Sequence, residues 1–291
     1  MKTKTAKPIP FMKLSGSGND FIVIDNRDRV VDGRHAGALA AKICTHRMSA
    51  GGDGLILIER SRRADFKWRL FNADGSEAEF SGNGARCAAR FAYLKGIAPR
   101  QMRFDTLAGM IDAEMVAGGA PRKKAAALEA AKIRFPDPSR LQLNLRVAID
   151  GTERIAHFLD TGVPHCVYMV EDPETVDIVG VGRPTRHHRL FQPAGTNVNF
   201  ISVRDPHTIR IRTYERGVEE ETLACGTGSI ASALIASLVA KAESPITLIP
   251  QSGLRLTVYF TPQAGSFTNV YLEGDARAVY EGKLLPDAWQ Y

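Results

Sequence analysis

One short signature occurs twice in this chain, and it constrains the fold more than any other feature. Ser81-Gly82-Asn83-Gly84-Ala85-Arg86-Cys87 stands in the first half and Cys225-Gly226-Thr227-Gly228-Ser229-Ile230-Ala231 in the second. Residues 81 and 225 are 144 positions apart, close to half of the 291-residue length. Each copy places a small nucleophilic residue before Gly-x-Gly and follows it with a small, apolar helical pattern. A repeat of this length implies two similar halves, each presenting one reactive side chain at a helix N-terminus. One copy has a hydroxyl and the other a thiol.

The coarse pattern fits two lobes of about 100–150 residues. We expect strands at 21–25, 55–59 and 66–71, a helix at 35–48 and a second helix at 84–95. A hairpin turning at Gly109 should span 102–116. An Ala/Lys stretch at 123–132 reads as a surface insertion of helical character, and 133–138 as the crossover. The second half repeats the scheme, with strands at 155–160, 165–170, 198–203 and 208–214 and a helix at 228–241. Strands at 246–250, 254–260 and 269–274 close it. Many strands with one strong helix per half fit two α/β or α+β lobes, not a doubly wound sheet.

Composition narrows the function classes. A net charge of +6 is spread along the chain without an aromatic-interleaved basic stripe, so nucleic-acid binding is a weak reading. The four cysteines have no C-x-x-C or metal-finger spacing, so no metal is expected. The opening MKTKTAKPIPF has no signal-like apolar run, its Lys/Thr-rich first eight residues read as a loose tail, and no segment reaches the length of a membrane span. We expect a cytoplasmic protein with reduced thiols.

A thiol just before a helix feels the partial positive charge of unsatisfied N–H groups, and its pKa can fall toward neutrality. The same N–H groups, reached past glycines, can hold a carboxylate. An isolated Cys-Gly-x-Gly is better read as a buried structural cysteine, and an isolated Ser81 as a helix cap; the duplication shifts both toward function. Cys87, inside the helix, reads as packed. Asn19, Asn72, Asn83, Asn197 and Asn199 sit at glycine-rich turns, where each is a turn residue or an amide ligand for a zwitterion. Glu215-Arg216 is a solvated ion pair or an acceptor beside a carboxylate binder. His165 is a satisfied core histidine or a group that tunes a thiol. No dinucleotide fingerprint, phosphate loop or G-x-S-x-G elbow is present.

The motifs Gly16-Ser17-Gly18-Asn19-Asp20-Phe21, Phe71-Asn72-Ala73-Asp74-Gly75-Ser76, Gly82-Asn83-Gly84-Ala85-Arg86-Cys87, Gly162-Val163-Pro164-His165, Thr196-Asn197-Val198-Asn199-Phe200 and Glu215-Arg216-Gly217…Cys225-Gly226-Thr227-Gly228, in this order, resemble the diaminopimelate epimerase family. The resemblance implies two pseudo-symmetric lobes, 1–132 (joined by the C-terminal 278–291) and 133–277. Each would be a mostly antiparallel sheet wrapped around a central helix, with the site in the cleft between them. It implies a cofactor-independent (PLP-independent) isomerase of lysine biosynthesis, a cytoplasmic homodimer acting on a small diamino diacid, with no nucleic-acid or membrane partner. Carried over by position, Asn19, Asn72, Asn197 and Arg216 would bind the distal end of the substrate. The backbones of Gly82, Asn83, Gly226 and Thr227 would hold the reacting carboxylate. Cys225 would be one acid/base, with Glu215 and His165 assisting. The departure is Ser81, which stands where the family has its second catalytic cysteine; Val163 stands where many relatives have asparagine. Three further readings remain beside an epimerase variant: a one-thiol dehydratase or isomerase, a silent amino-acid-binding protein, and, least favoured, a Cys225/His165 hydrolase.

Overall fold

The computed structural model describes residues 7–116 and 130–291. Its contacts divide the chain into two units, 1–133 with 275–291, and 134–274. Most of the Ala/Lys stretch, the 118–121 break and most of the N-terminal tail lie outside the described residues. The end of that stretch departs from the helical expectation. Ala130–Arg134 is a strand, whose Ala131 and Ile133 are buried while Lys132 alternates outward. Pairing with a neighbouring strand outweighs the helix propensity of alanine and lysine there.

The first unit begins with β1 (Ile9–Gly16), β2 (Asn19–Asp25), helix α1 (Ala36–Ile43), β3 (Gly54–Glu59), β4 (Phe66–Asn72) and the two-residue β5 (Glu77–Ala78). Helix α2 (Gly82–Leu94), β6 (Gln101–Thr106), β7 (Gly109–Val116) and β8 (Ala130–Arg134) follow. The C-terminal strand Arg277–Leu284 returns to pair with β1. From that strand the order is β1, β2, β3, β4, β6, β7, β8, with β5 a short partner of β4. All pairs are antiparallel except β2–β3 and β4–β6.

The second unit runs β9 (Ser139–Ile149), β10 (Thr152–Asp160), β11 (Pro164–Met169), α3 (Ile178–Arg186), β12 (Asn197–Asp205), β13 (Thr208–Glu215) and β14 (Glu220–Thr222). It closes with α4 (Gly226–Val239), β15 (Ile246–Ile249), β16 (Leu256–Gln263) and β17 (Ser266–Asp275). Its order is β9, β10, β11, β12, β13, β15, β16, β17, with β14 beside β13. The parallel pairs fall at the same two places, β11–β12 and β13–β15. The duplicated signature therefore marks a duplicated topology, with Ser81 and Cys225 at equivalent points between a two- or three-residue strand and the central helix.

Each sheet is covered on both faces. In the first unit, Ile22, Ile24, Leu55, Leu57 and Phe71 pack against Ala36, Leu39, Ala40 and Ile43 of α1. Helix α2 touches β1, β2, β3 and β7, and in its 83–92 stretch every residue but Arg90 is buried. In the second unit, Phe158, Tyr168, Val198, Phe200 and Tyr214 pack with Ile178 of α3, while α4 touches β10, β11, β12 and β16. Burial on both faces explains why Leu55-Ile56-Leu57-Ile58 is a continuous apolar run rather than an alternating one.

Helix α1 is shorter than the expected 35–48, ending at Ile43 before a run of turns. Helix α3 escaped the sequence reading because Gly180, Gly182 and Pro184 suppress its propensity. It needs Gly182, since a Cβ there would come within 2.6 Å of Tyr214 Cβ.

A packing test follows for the first unit. Phe104 is fully buried, stacked on Phe66 at 4.8 Å and tilted against Trp68 at 5.8 Å. Phe104→Ala should lower stability by about 3–5 kcal/mol, the usual result of truncating a buried aromatic. Leu107→Ala, in the exposed turn before Gly109, should stay within about 0.5 kcal/mol. Chemical denaturation of the two variants measures the contrast.

Candidate active site

The sequence places one helix cap in each unit, and the two caps are built alike. Ser81 is the N-cap of α2, with φ −148° and ψ 122°, and its Oγ accepts from Gly84 N at 3.2 Å. Cys225 is the N-cap of α4, with φ −115° and ψ 114°, and its Sγ accepts from Gly228 N at 3.4 Å. In both, the cap satisfies the third N–H of the helix, and the glycines leave the first N–H groups unobstructed. The arrangement suits an anion at each helix start.

In the first unit the amides near Ser81 form a chain. Asn83 Nδ2 donates to Asn19 Oδ1 at 2.6 Å, and Asn19 Nδ2 donates to Asp53 Oδ2 at 3.0 Å. Asn83 Oδ1 accepts from Arg86 Nη2 at 2.7 Å. Arg86 is fully buried, and Nη2 also donates to Ser17 Oγ at 2.8 Å, while Nε reaches the Asp275 carbonyl. Asn72 stands at the end of β4 and donates to Ser76 Oγ, bracing its own turn. Cys87 is packed as expected, fully buried, with burial pushing its thiol up to about 12.

In the second unit Cys225, Glu215, Asn197, Arg216 and His165 gather around the ends of β11, β12 and β13. Thr222 Oγ1 donates to Glu215 Oε2 at 2.9 Å, and burial raises that carboxyl's pKa. Asn197 Oδ1 accepts from Arg216 N at 2.8 Å, and Arg216 Nη1 donates to the Ala194 carbonyl. His165 is fully buried, and burial with the nearby Arg216 charge lowers its pKa to about 3.

One sequence expectation changes here. The helix-start thiol was expected to be acidified, yet burial, with the Glu215 charge adding to it, pushes Cys225 up to about 12. Thr227 and the N–H groups of Thr227 and Gly228 pull in the lowering direction but do not win. Among the described residues Cys225 Sγ bonds Gly228 N and Thr227 Oγ1, and His165 Nδ1 meets Asn199, an arrangement that does not support the least favoured Cys225/His165 hydrolase. Asp53, Arg86, Asp275, Thr213 and Thr222 support the site and were not singled out from sequence. The one available signal was Arg86, a charged residue in the first turns of a helix otherwise rich in small residues.

The comparisons with known proteins agree with these features. The family model described as diaminopimelate epimerase matches residues 11–126 and 157–278. The chain is 43% identical over 290 residues to diaminopimelate epimerase of Aquifex aeolicus, covering 97% of this chain and 99% of that one. It is 42% identical over 285 residues to that of a Hydrogenobaculum species, covering 94% and 97%. Among solved structures, a Bacillus anthracis phenazine biosynthesis protein of the PhzF family superposes with TM-score 0.71 at 16% identity, covering 96% and 99%. A hydroxyproline epimerase from Agrobacterium vitis superposes with TM-score 0.64 at 15% identity, covering 99% and 94%. At these identities the two structures establish a shared mixed α/β fold.

The Cys225–Glu215 coupling has a direct test. Since the Glu215 carboxylate raises the Cys225 pKa, Glu215→Gln should enrich the thiolate and speed its reaction with methyl methanethiosulfonate at pH 8 several-fold. Cys44, Cys87 and Cys166 are buried and pushed up as well, and serve as slow internal references by peptide mass mapping. Slower modification of Cys225 in the variant would show that Glu215 acts as its base instead.

Proposed function

The chain belongs to the diaminopimelate epimerase family, and from that premise we propose that it inverts one α-carbon of LL-diaminopimelate to the meso form without a cofactor. The observation that carries the reading is the pair of equivalent helix caps, Ser81 on α2 and Cys225 on α4, each closing the third N–H of a helix that opens on Gly-x-Gly.

Inversion needs two proton-transfer groups, because the carbanion formed on one face must be reprotonated on the other. In this reading Cys225 is one of them and Ser81 occupies the place of the second. The N–H groups of Gly82, Asn83, Gly226 and Thr227 would hold the reacting carboxylate and absorb charge as the carbanion forms. Asn19, Asn72, Asn197 and Arg216 would hold the distal amino-acid end, with Glu215 and His165 beside the thiol. The ammonium of a bound zwitterion would lower the pKa of Cys225, opposing burial and giving the thiol access to its basic form. A cytoplasmic homodimer is the expected setting, and sedimentation would establish the oligomeric state.

We read Ser81 as a cysteine-to-serine replacement. A hydroxyl makes the same cap hydrogen bond but is a far weaker base than a thiol unless another group activates it. The chain as it stands should therefore exchange the α-proton of one diaminopimelate stereoisomer with little inversion. Ser81→Cys should raise meso product formation at least about 10²-fold, the scale of one positioned acid/base. Cys225→Ala in that background should abolish inversion again, because the two groups act as a pair. The measurements are deuterium wash-in by NMR and product formation at neutral pH under reducing conditions. No gain from Ser81→Cys, together with expulsion of a leaving group from a β-substituted amino acid, would favour the one-thiol dehydratase. Binding without exchange would favour the silent binder.

A further inference from the structure

Three adjacent strands of the second unit place His165, Asn199 and Thr213 side by side. In β11–β12 and β12–β13 the register sets Val167 beside Asn199 and Asn199 opposite Thr213, so the three side chains share one face of the sheet. All three are buried: His165 and Asn199 have no exposure at all and Thr213 has 3%.

The Asn199 amide has its orientation fixed by its neighbours. Its Nδ2 lies 3.1 Å from the Cys166 carbonyl, which can only accept. The nitrogen must therefore face that carbonyl, and Oδ1 is left to accept from Thr213 Oγ1 at 3.0 Å. The second hydrogen of Nδ2 points at His165 Nδ1, 3.2 Å away. Nδ1 must then accept, and a neutral imidazole whose Nδ1 accepts carries its proton on Nε2. That Nε2 is buried and has no hydrogen-bond partner among the described residues. A buried donor without a partner is costly, and it marks a place for an acceptor.

The second glycine of Gly226-Thr227-Gly228 belongs to this arrangement. A Cβ at Gly228 would collide with Asn199 Oδ1, so the glycine that opens the helix start also gives the amide its room. The same motif thus serves the Cys225 cap and the Asn199 amide.

We propose that Asn199, locked by Thr213 and the Cys166 carbonyl, is a positioning residue that holds His165 as a neutral Nε2–H donor for an anionic oxygen of the bound ligand. His165 then acts by donating a hydrogen bond and not as the base that takes the α-proton. The ligand part of this inference rests on the amino-acid epimerase reading; the tautomer part does not.

The test is ¹⁵N NMR of the full chain with labelled histidine, which distinguishes protonated from unprotonated ring nitrogens. His165, assigned by loss of its signals in His165→Gln, should show a protonated Nε2 and an unprotonated Nδ1 throughout pH 5–8. Asn199→Leu removes the donor to Nδ1, and the folded variant should show a mixture of tautomers or a protonated Nδ1. Thr213→Val releases only the far side of the amide and should loosen the preference less. In the unmodified chain, meso-diaminopimelate should shift the Nε2 resonance of His165 while leaving the tautomer unchanged. A protonated Nδ1 in the unmodified chain, an imidazolium at neutral pH, or an unchanged single tautomer in folded Asn199→Leu would each overturn the proposal. The predicted tautomer with no response to meso-diaminopimelate would uphold the positioning role and count against the substrate reading instead.

Discussion

A helix enclosed by its own sheet has nowhere to send its unsatisfied N–H groups, and the rest of this protein is arranged around that constraint. Both α2 and α4 are buried over most of their length, α4 through small and apolar residues and α2 with the buried Arg86 among them. Their first-turn N–H groups cannot be left to bulk water as they would be on a surface helix. One is taken by the cap side chain, Ser81 or Cys225. The others lie beside glycines and form a ready anion site. A fold that encloses its central helix therefore creates, at one end of that helix, a reactive cap residue beside a place for a carboxylate.

The support for each cap differs even though the topology repeats. Around α2 a buried guanidinium, Arg86, orients the Asn83 and Asn19 amides in sequence. Around α4 the comparable support is neutral, with Asn199 and Thr213 orienting His165. Asn72 closes β4 in the first unit and Glu215 closes β13 in the second, so equivalent strand ends carry an amide and an acid. The duplication fixes where functional groups stand, and divergence between the halves gives each its own chemistry.

The legible parts of the sequence were those whose signal is local. Strands β2, β3, β4, β12 and β13 announce themselves as runs of β-branched and aromatic residues, and both central helices follow Gly-x-Gly with small residues. The Ser81 and Cys225 caps were readable because an N-cap is defined by its own sequence neighbours. What escaped depended on distant partners. Strand β9 has an outward-facing polar surface and is held by β10; the return of the C-terminal segment to the first unit was expected from the resemblance, but its strand, Arg277–Leu284 on β1, was not. Asn199 stood out as one of several turn-associated asparagines, but its role depends on a carbonyl in β11 and a hydroxyl in β13. The error over the Cys225 pKa had the same origin. The helix-start effect is local and visible in sequence, whereas burial and the Glu215 charge come from the tertiary fold.

The pairing of one hydroxyl with one thiol is consistent with this separation of fold from chemistry. A cap needs only a short side chain with an acceptor atom, and serine and cysteine both provide one. The observed contacts, 3.2 Å to oxygen and 3.4 Å to the larger sulfur, close the same turn in both units. Backbone angles at both caps lie in the extended region, so neither residue imposes strain on the glycine turn that follows. Serine at position 81 therefore satisfies every structural demand that the first unit makes of that site. On the proposed epimerase reading the remaining demand is acidity, because a proton would have to leave and return at a group whose pKa can be brought near the working pH. The cap hydrogen bond and the extended backbone make no distinction between the two atoms, so on the proposed epimerase reading the difference between oxygen and sulfur would appear in turnover.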